Sequence, residues 1–160
     1  MSKMFISQLK NILVHDVVQK DNVLALLSQL TRVTDKNNKE ITTDEYKSFF
    51  SNIPNNHLIY VLYSEKNEIS ENEELIGLGT LFIEKKLIHG GKSVGHIEDI
   101  VIDHKFRGKS YGKKMIDFLI QKARELKCYK VILNCDEKNV GFYERLGFKQ
   151  KNVEMSLYFE

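Results

Sequence analysis

Two strand-like runs of this chain, 95–102 and 130–133, are separated by one amphipathic helix, and that order constrains the fold more than any other feature. From Tyr111 onward Met115, Ile116, Leu119, Ile120, Ala123 and Leu126 recur at helical spacing and so form one buried face. A strand, a crossover helix and a second strand in one sheet set the two strands parallel. Upstream the pattern differs. Strand character over 57–63 and 75–84 flanks an acidic connection, and the turn His89-Gly90-Gly91-Lys92 leads into the run at 95–102. Consecutive antiparallel strands therefore run into a parallel pair, which predicts an α/β (α+β) fold with a mixed sheet and flanking helices.

Ahead of the sheet, residues 1–9 read as a loosely held leader, and Ile12, Leu13 and Val14 as a first strand. Asp21 opens a helix through Val23, Leu24, Leu26, Leu27 and Leu30, with Thr31 at its end. Residues 35–40 are polar and loop-like. Thr42 or Thr43 caps a second helix carrying Tyr46, Phe49 and Phe50, which Pro54 ends. After 130–133, residues 139–146 read as a short helix stopped by Gly147, and 153–159 alternates as a last strand. No repeat or interdomain linker interrupts the chain, and its 160 residues suit a single domain, 1–160.

Bulk electrostatics do not suggest nucleic-acid binding, because 24 basic and 22 acidic residues leave a formal charge of +2. No apolar stretch approaches the roughly 20 residues of a membrane span, and the N-terminus lacks a signal-peptide core, so a cytoplasmic protein is expected. Cys128 and Cys135 have no partners at zinc-ligand spacing and read as core thiols in a reducing compartment. His89 and His96 also lack the spacing of a metal site, and no metal is expected.

The segment from Lys105 to the helix start at Tyr111 is basic and rich in small residues. A helix N-terminus carries unpaired backbone N–H groups and the positive end of the dipole, so a diphosphate lying there needs only small side chains and a bend in the chain. Gly108 and Gly112 supply them. The same glycines also suit a plain turn from strand to helix. The full G-x-x-x-x-G-K-[ST] pattern of an NTPase phosphate loop is absent, as is the spaced glycine triplet of a dinucleotide fold.

Three features follow in order: the acidic pair Glu98-Asp99, the basic glycine turn, and Asn139-Val140-Gly141-Phe142-Tyr143-Glu144-Arg145-Leu146-Gly147-Phe148. Together they resemble the GNAT acetyltransferase superfamily. Arg107, Gly108 and Gly112 correspond to its R-x-x-G-x-G acyl-CoA signature, with Ser110 where the first glycine usually stands. Gly95-His96-Ile97-Glu98-Asp99-Ile100, Cys128-Tyr129-Lys130 and Cys135-Asp136-Glu137-Lys138-Asn139-Val140 look like the glucosamine-6-phosphate N-acetyltransferase family within it. So do Leu30-Thr31, Ile83-Glu84-Lys85-Lys86-Leu87-Ile88-His89 and Val153-Glu154-Met155, so that the likeness covers most of the chain.

That resemblance implies transfer of acetyl from acetyl-CoA to the amine of glucosamine 6-phosphate, a step toward UDP-N-acetylglucosamine. Pantetheine amides would pair with backbone at Ile100, Val101 and Ile102, and the diphosphate would meet Arg107, Gly108, Lys109, Ser110, Tyr111 and Gly112, with Asn134 and Asn139 bordering the cofactor. Tyr143 would stand near the thioester sulfur as general acid. Glu98 would accept the amine proton, directly or through water, and Asp99 would hold sugar hydroxyls or orient the amine, with the two roles exchangeable. Strand alternation sends these carboxylates to opposite faces unless a bulge intervenes. A backbone N–H of the same strand would serve as oxyanion donor.

Thr31, Lys86, Leu87, Ile88, His89, Tyr129, Lys130 and Tyr158 match the family's substrate-contacting stretches. Two departures stand out: Tyr158 lies in the stretch that often carries an arginine for the substrate phosphate, and Asn134 replaces an acidic residue. The family implies a homodimer with shared sites, which the apolar Met155, Leu157 and Phe159 would suit. Two other functions stay open: acetylation of another small amine or a protein N-terminus, and CoA binding without turnover.

Overall fold

The structure, a computed structural model, describes residues 4–8, 17–64 and 73–159. Strands β1 (Met4–Gln8), β2 (His57–Ser64), β3 (Leu75–Lys85), β4 (Ser93–Ile102) and β5 (Cys128–Ile132) form one sheet in that order. β1 to β4 pair antiparallel, and β5 joins β4 in parallel, as the crossover helix requires. The helices are α1 (Val17–Leu27), α2 (Thr43–Asn52), α3 (Tyr111–Glu125) and the short α4 (Val140–Glu144).

Alternate residues of β2 feed two cores. Val61 and Tyr63 join Val23 and Leu26 of α1 and Tyr46 and Phe50 of α2, while Tyr60 and Leu62 join Met115, Ile116, Leu119 and Ala123 of α3 on the other face. Met115, Ile116 and Leu119 are completely buried, each contributing about 1.5–3 kcal/mol to holding α3 on the sheet. The start of α2 is fixed by a capping box: Thr42 Oγ1 accepts from the Glu45 N–H, and the Glu45 carboxylate accepts from the Thr42 N–H.

Three expectations change. The presumed leader contains β1, an edge strand paired with β2, and α1 begins four residues or so before Asp21 because a run of β-branched residues at its start hid its helical character. Residues 153–159 form no strand. Alternation specifies a face but supplies no partner, and these residues find none in the described chain; Val153, Met155, Leu157 and Phe159 are each more than three-quarters exposed. Ile12 to Val14 and most of the acidic connection lie outside the described residues.

The feature that shapes the site is a bulge in β4. Leu78 pairs with Val101 and Thr80 with Glu98, so Gly79 alone faces the two residues Asp99 and Ile100. Asp99 takes the extra position with φ of +52°, a left-handed conformation that Asp tolerates better than most side chains. The extra residue resets alternation: Ile97, Ile100 and Ile102 all pack on the α3 side, while Val101 turns to the α1 and α2 side.

Candidate active site

β5 pairs with β4 only over Ser93 to His96, against Cys128 to Ile132. Beyond that point residues 97–102 of β4 keep β3 on one side and, among the described residues, no strand on the other. The strands part where the bulge increases local twist. The outward-pointing backbone groups over Ile100, Val101 and Ile102 are those an extended, amide-bearing ligand could pair with as an added strand, apart from Ile102 O, which accepts from Arg107.

β4 runs directly into the basic loop. Asp103 begins a tight 3₁₀ turn: its N–H donates to Ile76 O at 2.9 Å, its carboxylate accepts the Lys105 N–H at 2.9 Å, and its carbonyl accepts the Phe106 N–H at 2.8 Å. Partial burial pushes the Asp103 carboxyl up, but the bonds from Lys105 N–H and Gln29, helped by His104 and Lys105, hold it below the ordinary range. Arg107 folds its Nε onto Ile102 O at 3.0 Å, which fixes the guanidinium at the mouth of the free edge.

Gly108 and Ser110 both lie in the left-handed region, with φ of +77° and +63°. Ser110 is the residue before α3, and its side chain makes no capping bond, so its conformation serves the path of the backbone. The N–H groups of Tyr111, Gly112 and Lys113, in the first turn of α3, have no intrahelical acceptors and carry the positive end of the dipole. The Lys109 ammonium sits 5.5 Å from the Phe106 ring, and Tyr111 is buried as the anchor of the helix head. Gly112 lies against α4: a Cβ there would stand 3.4 Å from Phe142 Cζ, an ordinary van der Waals contact, so the head of α3 and α4 pack together at this point.

That contact brings Tyr143 to the same end of the molecule. Its ring packs edge-on against Phe142 and Phe148, with centroids 5.0 and 5.8 Å away, and the turn closes through the Phe148 N–H to Tyr143 O at 3.1 Å. Burial raises the Tyr143 phenol above its usual value, and Cys135 raises it further, so the proton stays on oxygen near neutral pH. Gly147, with φ of +91°, ends the helix as the sequence predicts. Asn139 stands at the start of α4 without a side-chain capping bond, and Asn134 is exposed after β5. Cys128 is half-buried, its thiol raised by burial, whereas Cys135 is exposed and not a core thiol: the chain has already left β5 at Ile132.

Glu98 and Asp99 flank the bulge. Burial raises the Glu98 carboxyl, the Asp99 carboxylate and Glu154 of the tail raise it further, and His96 opposes them. A carboxylate so disfavoured in its charged form is a better proton acceptor than an ordinary surface glutamate. His89 packs on Tyr129 with centroids 4.8 Å apart, and Lys130 Nζ lies 5.6 Å from the same ring, so the hairpin tip and β5 share a cationic and aromatic cluster. Leu87 and Ile88 are exposed at that tip, Thr31 is exposed beyond α1, and Tyr158 lies in the exposed tail. Lys86 is instead tied to Glu84, whose other oxygen lies 2.9 Å from His96 Nε2, so much of its charge is offset within the chain. Hydrogen bonds from Lys86 and then His96 hold the Glu84 carboxyl low. Sequence reading assigned no role to Glu84 or Gln29: Glu84 stands in a family-like stretch, but its bond to His96, like those of Gln29 to Asp103 and His104, joins residues far apart in the chain.

Among the described residues no helix is long and apolar enough to cross a membrane, and no group of three His, Cys, Asp or Glu could hold a metal ion. Residues 25–148 match the acetyltransferase (GNAT) family. A glucosamine 6-phosphate N-acetyltransferase of Arabidopsis thaliana is 37% identical over 145 residues, spanning 89% of this chain and 91% of that protein. One from Candida albicans is 38% identical over 136 residues, 85% of this chain and 86% of the relative. The crystal structure of the glucosamine-6-phosphate N-acetyltransferase from Arabidopsis thaliana has a TM-score of 0.79 and 33% identity, covering 99% of both chains.

Proposed function

The chain belongs to the GNAT acetyltransferase family, and on that footing we propose that it transfers the acetyl group of acetyl-CoA to the amino group of glucosamine 6-phosphate. The observation that carries the reading is the free edge of β4 lying in line with the open head of α3. An acyl-CoA needs both parts: backbone for its amides and N–H donors for its diphosphate. The glucosamine 6-phosphate N-acetyltransferases that match nearly the whole chain support the choice of acceptor.

Acetyl-CoA supplies an acyl group already activated as a thioester, with a thiol to leave. In this reading the backbone of Ile100, Val101 and Ile102 aligns the arm, and Arg107 with the amides of 108–113 holds the diphosphate. Glu98 accepts a proton from the acceptor nitrogen, and Asp99 orients that amine. Tyr143 gives its phenolic proton to the departing sulfur; its raised pKa keeps that proton on oxygen until the thiolate leaves. A backbone N–H beside the bulge faces the developing negative charge on the acyl oxygen, an interaction commonly worth about 3–4 kcal/mol.

The substrate phosphate needs a cation and hydrogen-bond donors, and Lys130 with His89 and Tyr129 beside it offers them where the tail has no arginine. The chain is further read as a cytosolic homodimer. The exposed apolar tail, whose Glu154 lies close enough to raise Glu98, supports a second copy completing each site.

Release of free thiol from acetyl-CoA tests the reading, measured alone, with glucosamine 6-phosphate and with glucosamine. Release that depends on the phosphorylated sugar is expected. No sugar-dependent thiol would remove the activity, and a preference for an unphosphorylated amine would remove the assigned acceptor.

A further inference from the structure

Gln29 stands just beyond α1, yet its side chain reaches the loop between β4 and α3. Its Nε2 donates to Asp103 Oδ2 at 3.1 Å, and its Oε1 accepts the His104 N–H at 3.0 Å, with His104 Nδ1 at 3.3 Å from the same oxygen. Asp103 Oδ1 is already engaged by the Lys105 N–H, and the Asp103 N–H by Ile76 O. The first turn of the loop is thus one network, and its far anchor is a side chain from a different element of the chain.

We propose that Gln29 is the positioning residue that sets the diphosphate loop, holding it against the end of α1 through the fork to Asp103 and His104. The inference rests on the acetyl-CoA reading above. The amide carries its donor and its acceptor on two neighbouring atoms at the end of a long side chain, which suits a carboxylate followed by a backbone N–H. A glutamate would set two carboxylates against each other, and an apolar residue would leave the half-buried Asp103 and the His104 N–H without these partners. Asp103 is also an awkward charge to find a few residues ahead of an anion cradle. Gln29 and the Lys105 N–H between them engage both of its oxygens, which directs its charge into the loop's own bonds. The residues that follow, Arg107, Gly108 and Ser110, inherit their position from this turn.

The pair can be exchanged. In Gln29→Glu the fork loses its donor, and adding Asp103→Asn restores a donor from the other side. In that double variant the introduced carboxylate still accepts from the His104 N–H, and the oxygen of the introduced amide still accepts from the Lys105 N–H.

Affinity for CoA, titrated calorimetrically, is the readout, with Gln29→Met as a second variant that keeps side-chain length and loses both bonds. Both single variants are expected to weaken CoA binding roughly tenfold, with a matching rise in the KM for acetyl-CoA and kcat at saturation within about twofold. The exchanged pair should recover to within about threefold of the parent. Single variants that bind CoA like the parent would overturn the proposal, as would an exchanged pair as weak as Gln29→Glu alone. A parent protein that does not bind CoA would instead remove the reading on which the inference stands.

Discussion

Replacing Gly79 by alanine drives a methyl group into the packing beneath the β4 bulge. Its Cβ would stand 2.7 Å from Ile100 Cδ1 and 3.1 Å from both Leu119 Cδ1 and Met115 Cγ. Carbon atoms rest about 3.5–4.0 Å apart, so three side-chain ends have to give by roughly 0.5–1 Å. Leu119 and Met115 are completely buried and have nowhere to retreat, whereas Ile100 is half-buried beside the free edge and can rotate. The cost falls in the lower part of the overpacking range, about 1–2 kcal/mol, or a fall in Tm of about 2–8 °C for a chain of this size. Because Ile100 is the residue that yields, the KM for acetyl-CoA should rise several-fold while kcat changes less. Gly77→Ala is the internal control. There the added Cβ meets Val101 O at 2.8 Å, a backbone atom that cannot rotate away, so the loss should be larger, about 3 kcal/mol. Thermal and urea denaturation of the two variants measure this. Equal losses, or no loss in Gly79→Ala, would refute the packing argument.

The other predictions concern the loop and the acid and base. Ser110→Gly relieves a left-handed serine at some cost in chain entropy, for a net gain of about 0.5–1 kcal/mol in urea denaturation; a destabilised variant would contradict that reading of the loop. Tyr143→Phe should lower kcat by about 10²–10⁴ with little change in acetyl-CoA affinity, and unchanged turnover would remove its proposed role as acid. Glu98 works as a base only when ionised, and its carboxyl is raised, so activity should fall as pH drops through a value above the ordinary glutamate range. Asp99→Asn removes one of the raising charges and should move that acidic limb to lower pH, and a limb that stays put would refute the coupling.

The parallel pair was legible because the crossover rule needs only the order of elements, and the N-cap at Thr42 or Thr43 because a cap residue precedes its helix directly; which threonine caps was settled by the bond from the Glu45 N–H. The basic glycine turn ahead of α3, the proposed diphosphate cradle, could be picked out for the same reason: Arg107, Gly108, Lys109 and Ser110 are consecutive. The bulge was only conditionally readable. Ile97, Ile100 and Ile102 break strict alternation, but nothing local says which residue is extra until Gly79 is seen opposite it. β1 was missed because a short strand ending in Ser7 and Gln8 shows little apolar pattern of its own and depends on β2 for its register. In 153–159 the pattern was clear, and the partner it calls for lies nowhere in the described chain. The Gln29 fork and the Glu84–His96 pairing carry no local signal, because they join residues that only the folded chain brings together.

Amide hydrogen exchange over 97–102 and 108–113, with and without acetyl-CoA, tests most directly whether the free edge of β4 and the head of α3 form one cofactor groove. Exchange should slow in both segments at saturating acetyl-CoA, while the inner pairing of β2 with β3 stays unchanged. Bound acetyl-CoA that leaves both segments exchanging at the rates of the free protein would contradict the account.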